Sequence, residues 1–172
     1  YLKDATNGMQ IVMELSPYGS LSTILYDRAK YPKIPAVLSL SWLCDIASAL
    51  GHLHSRQVKH RDVKAENVLV FYGFHAKLCD FGLAKQHLSK SQSKGGMVGT
   101  IPFIAPEVLN RKGCYLSSDM YSWAMTAVQI LMRRHPDEDM SDVDLIERSL
   151  DVVRAEVCME FDKLRELLLS CL

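Results

Sequence analysis

A short polar loop carries the side chains of this sequence that are best suited to chemistry. Residues 58–70, with the sequence VKHRDVKAENVLV, pass from charged and polar residues directly into an apolar, β-branched strand. Asp62, Lys64 and Asn67 supply a carboxylate, an ammonium group and an amide within this loop. Such a set suits a reaction that needs a base, a positive charge beside a phosphate and a metal ligand. The loop is therefore interpreted as an active site.

Three motifs in a fixed order connect this loop to a known family. Residues 60–63 (HRDV), followed by three residues and Asn67, fit the catalytic-loop pattern of protein kinases, with Val63 in place of the usual Leu. Residues 80–82 (DFG) and 105–107 (APE) follow in the order that the family has. One such match would be weak evidence, but three in order are not expected by chance. The chain therefore resembles the eukaryotic protein kinases.

The resemblance implies an α+β fold, namely a protein-kinase-like fold with a mostly helical large lobe and short β-hairpins. It covers residues 1–172 and begins at the strand that enters the family's interlobe hinge. We therefore expect a partial kinase domain, comprising the hinge strand and the C-terminal lobe, with the small lobe largely absent. The sequence has no Gly-rich phosphate loop, no lysine on a third strand and no paired helix glutamate before the hinge.

The resemblance also assigns roles in catalysis. It implies that Asp62 orients a substrate hydroxyl and accepts its proton, and that Lys64 neutralises the transferred γ-phosphoryl group. Asn67 and Asp80 are implied to hold Mg²⁺, which prefers oxygen ligands. Thr100 is expected to bond to both Asp62 and Lys64. ATP and Mg²⁺ are thus the implied cofactors.

A further set of residues is implied to bind the nucleotide. In the family, the hinge offers backbone groups to adenine, which here would come from Glu14 and Ser16, while the side chain of Met13 gates the pocket. Leu69 would form its apolar floor. The residues assigned to the nucleotide in this way are Met13, Glu14, Ser16, Ser20, Leu69, Cys79 and Asp80. The alternatives are that residues 9–15 form an ordinary edge strand, and that Leu69 and Cys79 are simply buried strand residues.

Residues 83–99 lie between the second and third motifs and are rich in Ser, Lys and Gly. They resemble an activation loop, although a linker has a similar composition, and they are expected to be mobile without a ligand. A phosphoserine here could pair with Arg61 and Lys85. The candidate acceptors are Ser89, Ser91 and Ser93. Residues with an implied structural role are His60, Phe81, Glu107 and Asp119, of which Asp119 is expected to accept bonds from backbone N–H groups of the loop.

The position of Lys64, two residues after Asp62, is typical of serine/threonine kinases, so the implied partner is a protein with a Ser or Thr acceptor. Residues 17–21 and 99–107 are similar to the tyrosine-kinase-like branch of that group. Because Glu107 would lack its usual arginine and much of the small lobe is missing, a second class stays open. The alternative is a non-catalytic, kinase-like binding or scaffold module.

Composition excludes several other classes of function. The chain has 172 residues and a formal net charge of zero, and its basic residues are scattered, so neither nucleic acid nor a membrane surface is an expected partner. Its five cysteines lack metal-binding spacing, which predicts reduced thiols in a cytoplasmic protein. The most apolar stretch, residues 34–53, is interrupted by Pro35, Asp45 and His52. Nothing in the sequence indicates an oligomeric state.

Hydrophobic periodicity predicts the elements that position the loop. A short helix over 20–28 should be capped by Ser20, and an amphipathic helix over 39–55 by Ser39 or Ser41. The segment 117–132 is apolar on all sides and predicts a buried helix capped by Ser117. Amphipathic helices are expected over 142–149 and 161–171. Short strands are expected over 9–15, 68–70 and 76–79, the last two joined by a turn at Gly73.

Overall fold

The structure is a computed structural model that describes residues 2–4, 8–10, 12–86, 100–136, 141–142, 144–146, 148 and 161–171. In this part of the chain the helices are α1 (Leu21–Tyr26), α2 (Ala36–Ser55), α3 (Pro106–Leu109), α4 (Leu116–Met132) and α5 (Phe161–Leu169). The strands are β1 (Leu2–Asp4), β2 (Gly8–Gln10), β3 (Val58–Lys59), β4 (Val68–Val70), β5 (Ala76–Leu78) and β6 (Lys85–Gln86). They form three antiparallel pairs, β1–β2, β3–β6 and β4–β5. Short 3₁₀ turns at 65–67, 72–74 and 81–83 complete the order of elements.

The predicted α+β class, mostly helical with short β-hairpins, is confirmed. Helix α4 is buried along nearly its whole length, as its continuous apolar sequence predicts. It packs against α2, whose buried face presents Trp42, Leu43, Ile46 and Leu50 to the same core. The Trp42 indole N–H donates to the Phe74 carbonyl at 2.8 Å, which fixes α2 to the β4–β5 hairpin. The core thus forms a platform beneath the polar loop at 60–67.

Helix starts differ from the predictions in two places. Ser20 caps α1 as predicted, because its hydroxyl accepts the Thr23 N–H. Helix α2, however, begins at Ala36 with Pro35 at the N-cap, and Ser39 is buried inside the helix, so the predicted caps at 39 and 41 are wrong. The fixed φ of proline suits a helix start, and the sequence analysis read Pro35 only as a breaker.

Helix α4 likewise starts earlier than predicted. It begins at Leu116, and the first turn is closed by the Ser118 hydroxyl, which accepts the Tyr115 N–H at 3.0 Å. The N-cap is Tyr115, so the predicted cap at Ser117 is wrong by two residues. The helix ends at Met132, where Arg133 adopts a left-handed φ of 52°.

The strands are shorter than predicted at the amino end. Strand β2 spans Gly8–Gln10, whereas residues 12–15 are exposed and belong to no strand, so the strand predicted over 9–15 is wrong at residues 12–15. The β4–β5 hairpin is confirmed, and Gly73 has the predicted positive φ, 75°. The β3–β6 pair was not predicted.

The carboxyl-terminal helices agree with the predicted pattern where they are described. Helix α5 spans Phe161–Leu169, and the described residues between 142 and 148 are helical. Leu145, Ile146 and Leu168 are buried in the common core. The free thiols in the described part of the chain belong to Cys44, Cys79, Cys114 and Cys171, and Cys158 lies outside it.

One described helix, α2, is long and apolar enough to cross a membrane by length and composition alone. Its contacts with α4 and β5, and its buried indole and aliphatic side chains, place it in the protein core. A buried core helix passes the same length and hydropathy test, so the test by itself assigns no membrane segment.

Candidate active site

Three side chains meet at the start of the polar loop. The Lys64 Nζ atom lies 3.0 Å from Asp62 Oδ2 and donates to Thr100 Oγ1 at 2.5 Å. The Thr100 hydroxyl in turn donates to Asp62 Oδ1 at 3.2 Å. The contacts predicted for Thr100 are therefore present, although it lies 38 residues beyond Asp62. A carboxylate beside an ammonium group and a hydroxyl is held in one orientation, because each of its oxygens has a donor.

Asn67 supports the same carboxylate from the other end of the loop. Its Nδ2 atom donates to Asp62 Oδ2 at 2.7 Å and to the Asp62 carbonyl at 2.8 Å. The side-chain nitrogen is thus used on Asp62, which leaves the amide oxygen as the atom of Asn67 able to bind a cation.

The loop backbone is anchored on helix α4. The Asp119 carboxylate, which is fully buried, accepts the His60 N–H at 2.9 Å and the Arg61 N–H at 2.8 Å. This arrangement confirms the contact predicted for Asp119. Arg61 has a left-handed φ of 74°, an uncommon conformation for a residue with a side chain. The two bonds to Asp119 hold this turn in place directly before Asp62.

His60 connects the loop to the segment that contains Asp80. The His60 ring is buried, and its Nε2–H donates to the Cys79 carbonyl at 2.9 Å. Its Nδ1 atom faces the Asp62 N–H at 3.4 Å, and its ring lies edge-on to the Phe81 ring with centroids 5.2 Å apart. His60 therefore packs between the loop and the segment that contains Asp80 and Phe81.

The two implied magnesium ligands lie on adjoining segments. The Cys79 N–H donates to the Asn67 carbonyl at 2.8 Å, so Asp80 follows directly after a residue bonded to Asn67. Asp80 is exposed, has a left-handed φ of 59°, and accepts the Gly82 N–H through Oδ1 at 3.1 Å. An exposed carboxylate and an amide oxygen that has no partner among the described residues are the hard oxygen ligands that Mg²⁺ prefers. The residues present therefore fit the implied metal.

The residues assigned to the nucleotide lie around the start of α1 and the β4–β5 hairpin. Ser16 Oγ donates to the Val70 carbonyl at 2.6 Å, and Ser20 forms an antiparallel bridge with Leu69. Leu69 is half-buried and not fully buried, which leaves one side of it accessible. The Ser20 hydroxyl is engaged as the cap of α1, so its side chain is occupied within the protein.

Two assigned hinge residues point toward solvent. Met13 is 65% exposed, so in the described part of the chain it does not line the closed pocket that its implied gating role requires. The Glu14 carboxylate pairs with Lys77 Nζ at 2.6 Å on the surface. The predicted nucleotide contact of Glu14 uses its backbone, and this side-chain pair leaves that backbone group unaffected.

Cys79 is half-buried immediately before Asp80. Burial raises the pKa of its thiol, and the negative charge of Asp80 raises it further. A thiol in such surroundings stays protonated near neutral pH and is a weak nucleophile. Cys79 is therefore suited to contact a ligand and not to react with it.

The residues implied in regulation are only partly described. Strand pairing sets Lys85 opposite Lys59, two residues before Arg61, along the β3–β6 pair. Ser89, Ser91 and Ser93 lie outside the described residues. Glu107, predicted to lack an arginine partner, accepts the Ser118 hydroxyl at 2.5 Å in the described part of the chain.

Two residues of the site were missed by the sequence analysis. No partner was predicted for His54, yet its Nε2 atom lies 2.9 Å from Asp119 Oδ2. Gln129 is fully buried, and its Oε1 atom accepts the Ala65 N–H at 2.9 Å. The available signal for Gln129 was a long polar side chain in an otherwise apolar helix, which requires a buried partner.

Comparison with known proteins agrees with this geometry. The family model described as protein tyrosine and serine/threonine kinase matches residues 2–172. The chain is 34% identical over 142 residues to receptor-interacting serine/threonine-protein kinase 2 of Bos taurus, covering 77% of this chain and 26% of that protein. It is 33% identical over 157 residues to dual specificity protein kinase shkC of Dictyostelium discoideum, covering 89% and 29%. It is 30% identical over 136 residues to mitogen-activated protein kinase kinase kinase dlk-1 of Caenorhabditis elegans, covering 79% and 14%.

The chain belongs to the protein tyrosine and serine/threonine kinase family. Its three motifs, its helical core and its loop contacts all fit that membership. The chain spans less than a third of the length of each of these relatives.

Proposed function

We propose that this protein transfers the γ-phosphoryl group of ATP to serine or threonine hydroxyls of protein substrates. The observation that carries the proposal is the contact among three side chains, in which Lys64 Nζ lies 3.0 Å from Asp62 Oδ2 and 2.5 Å from Thr100 Oγ1. A base and a phosphate-binding cation must act on neighbouring atoms during phosphoryl transfer, and this contact places them together.

Asp62 acts on the acceptor. Its carboxylate orients the substrate hydroxyl and takes its proton as the hydroxyl oxygen bonds to the γ-phosphorus and the bond to the β–γ bridging oxygen breaks. Asn67 and Thr100 keep the carboxylate in that orientation through their bonds to Oδ2 and Oδ1. Lys64 compensates the negative charge of the transferred group. Among the described residues, its ammonium group pairs with no carboxylate other than that of Asp62.

Asn67 and Asp80 are the residues that would hold Mg²⁺. When bound, Mg²⁺ neutralises charge on the phosphate oxygens. The bond from the Cys79 N–H to the Asn67 carbonyl keeps the two ligand-bearing segments in register. The backbone groups of Glu14 and Ser16, together with Leu69 and Cys79, would supply the surroundings of adenine.

The preference for serine and threonine rests on Lys64 and on the kinase names of the relatives. Lysine two positions after the catalytic aspartate is the serine/threonine pattern, and the bovine relative carries that designation in its name. Because one relative is named a dual specificity protein kinase, any test of specificity must also include a tyrosine peptide.

The test compares the full-length gene product with its Asp62→Asn variant in a radiolabelled ATP assay, using Ser, Thr and Tyr peptides otherwise identical in sequence. Loss of the base should lower turnover by about 10²–10⁴-fold. ATP affinity should change little, because Asp62 acts on the acceptor. The matched control is Asp27→Asn, an exposed aspartate in the loop after α1, which should retain wild-type turnover.

The outcomes separate the classes of function. Transfer to Ser and Thr peptides that requires Asp62 supports the proposal. Transfer to Tyr alone would overturn the stated specificity. Absence of transfer by the wild-type protein, with nucleotide binding retained or lost, would favour the non-catalytic binding module instead.

A further inference from the structure

Three polar side chains on one face of helix α4 form hydrogen bonds with the backbone of the catalytic loop. Asp119 holds the N–H groups of residues 60 and 61, and Thr126 donates to the Val63 carbonyl at 3.3 Å. Gln129, three residues further on, accepts the Ala65 N–H at 2.9 Å. Positions separated by seven and three residues share a helix face. The loop backbone is therefore held at its start, middle and end by one rigid helix.

The contact made by Gln129 is the least expected of the three. Its whole side chain is buried, and both the oxygen and the nitrogen of its amide form hydrogen bonds. Its Oε1 atom accepts from Ala65, which is also fully buried. Its Nε2 atom donates to the Tyr26 hydroxyl at 2.7 Å and to the Glu66 carboxylate at 3.0 and 3.2 Å. A carboxamide meets both needs, whereas an apolar side chain would leave the Ala65 N–H buried without an acceptor.

Ala65 stands at a sensitive point of the loop. It opens the 3₁₀ turn 65–67, between Lys64 and Asn67. That turn is closed by the Asn67 N–H, which donates to the Lys64 carbonyl at 3.0 Å. Fixing the Ala65 N–H therefore sets the direction in which Lys64 leaves the loop and the position from which Asn67 reaches Asp62.

We propose that Gln129 is a positioning residue for phosphoryl transfer. It acts through the Ala65 N–H to keep Lys64 and Asn67 aligned on Asp62, and it touches neither substrate nor nucleotide. The inference rests on the proposed function for its effect on turnover. Its effect on the loop can be measured without any reaction.

The structure offers a rescue that a merely structural role would not show. Lys64 is extended, with φ −167° and ψ 163°, a conformation that tolerates a following proline. Ala65 is the first residue of its turn, where proline needs no N–H partner. Ala65→Pro should therefore remove the need for the Gln129 acceptor and fix the same turn by its ring.

The experiment measures kcat and the KM for ATP in the full-length protein for Gln129→Leu, Ala65→Pro and the double variant. Loss of an acceptor for one buried N–H should lower kcat by about 10- to 100-fold in Gln129→Leu. The KM for ATP should stay within about twofold, because Gln129 binds no nucleotide. Ala65→Pro alone should also lower kcat, because it leaves the buried Gln129 Oε1 atom without its donor. The double variant removes both partners and should recover most of the lost kcat.

A second variant covers the possibility that Gln129→Leu does not fold. Gln129→Glu keeps the Oε1 acceptor for Ala65 but places a carboxylate against Glu66, so its kcat should lie between those of wild type and Gln129→Leu. Adding Glu66→Gln should return kcat toward wild type. Failure of both rescues, by Ala65→Pro and by Glu66→Gln, would overturn the proposal, as would a rise in the KM for ATP that matches the fall in kcat.

Hydrogen exchange distinguishes failure of this inference from failure of the proposed function. Exchange at the Asn67 amide should be faster in Gln129→Leu and slow again in the double variant, whether or not the protein phosphorylates peptides. If the wild-type protein transfers no phosphate but this exchange pattern holds, the proposed function fails while the positioning of the loop by Gln129 stands. Unchanged exchange in Gln129→Leu would overturn the inference itself.

Discussion

His54 and Asp119 are joined by a hydrogen bond beneath the catalytic loop. His54 Nε2 lies 2.9 Å from Asp119 Oδ2, the same oxygen that accepts the His60 N–H, while Oδ1 accepts the Arg61 N–H. A fully buried carboxylate thus has three donors, one from α2 and two from the loop. Such a group is stabilised by its donors, and the donors depend equally on it.

The first prediction concerns the Asp119→Ala variant. It should lower both the melting temperature and the kinase activity, because two loop N–H groups lose their acceptor at a cost of roughly 1–3 kcal/mol each. A thermal melt followed by circular dichroism and a peptide phosphorylation assay measure the two effects.

The control for this change is Glu166→Ala, which removes an exposed carboxylate from α5. It should alter neither the melt nor the activity. An Asp119→Ala protein with wild-type stability and turnover would show that α4 does not anchor the loop.

The sequence was most informative where a motif fixed both the residue and its partner. The contacts of Asp119 with the loop and of Thr100 with Asp62 and Lys64 were predicted, since the kinase resemblance relates these positions across long separations. Periodicity alone gave the existence of α2 and α4. It could not give their first residues, because Pro35 can either end one segment or begin the next.

The residues missed have a common physical reason. A helical pattern shows which residues share a face, but not which distant backbone group lies against that face. His54 is hydrogen-bonded to Asp119, which lies 65 residues away in the sequence, and Gln129 to Ala65, which lies 64 residues away. Nor could local pattern show that residues 12–15 are exposed, since an apolar run suits a buried strand equally well.

The second prediction tests the role of the Thr100 hydroxyl. Thr100→Val keeps the side-chain shape but removes the bonds to Asp62 and Lys64. Turnover should fall by about tenfold, the effect of about 1.4 kcal/mol in the transition state. The measurement is steady-state phosphorylation of a serine peptide at saturating ATP.

Thr100→Ser is the matched control, because it restores a hydroxyl at the same position. It should retain most of the wild-type turnover. If the Val and Ser variants are equally active, the hydroxyl does not orient Asp62 and the contact is incidental.

The third prediction concerns regulation by phosphate. We expect phosphorylation of Ser89, Ser91 or Ser93 to increase activity, because a phosphate can pair with the cations of Arg61 and Lys85. In the β3–β6 pair, Lys85 lies opposite Lys59, two residues before Arg61. Mass spectrometry of the active protein should find phosphate on at least one of these serines.

The triple Ser→Ala variant should have reduced activity and should not respond to phosphatase, whereas the wild-type protein should lose activity on the same treatment. Full activity in the triple variant would exclude the switch. Arg61→Ala offers an independent check. In this variant the three serines are intact, but phosphatase treatment should no longer change the activity.

The last prediction uses the Cys79 thiol to report on Asp80. Burial is the larger cause of the raised Cys79 pKa, and the Asp80 charge adds to it. Since the thiolate is the reactive form, alkylation should be slow near pH 7 and should accelerate only as the pH rises above the ordinary range of a cysteine. Asp80→Asn removes the charge but not the burial, so it should move this acceleration to lower pH without restoring an ordinary thiol. Alkylation rates read by mass spectrometry between pH 7 and 10 measure the shift.

Cys171 provides the control within the same molecule, because burial raises the pKa of its thiol without a contribution from Asp80. Its alkylation profile should be the same with and without the Asp80→Asn change. Mg²⁺ alone should also speed Cys79 alkylation in the wild-type protein, because a cation at Asp80 offsets its negative charge. A Cys79 profile that ignores both the substitution and the metal would mean that the Asp80 carboxylate points away from the site, and its assignment as a magnesium ligand would have to be abandoned.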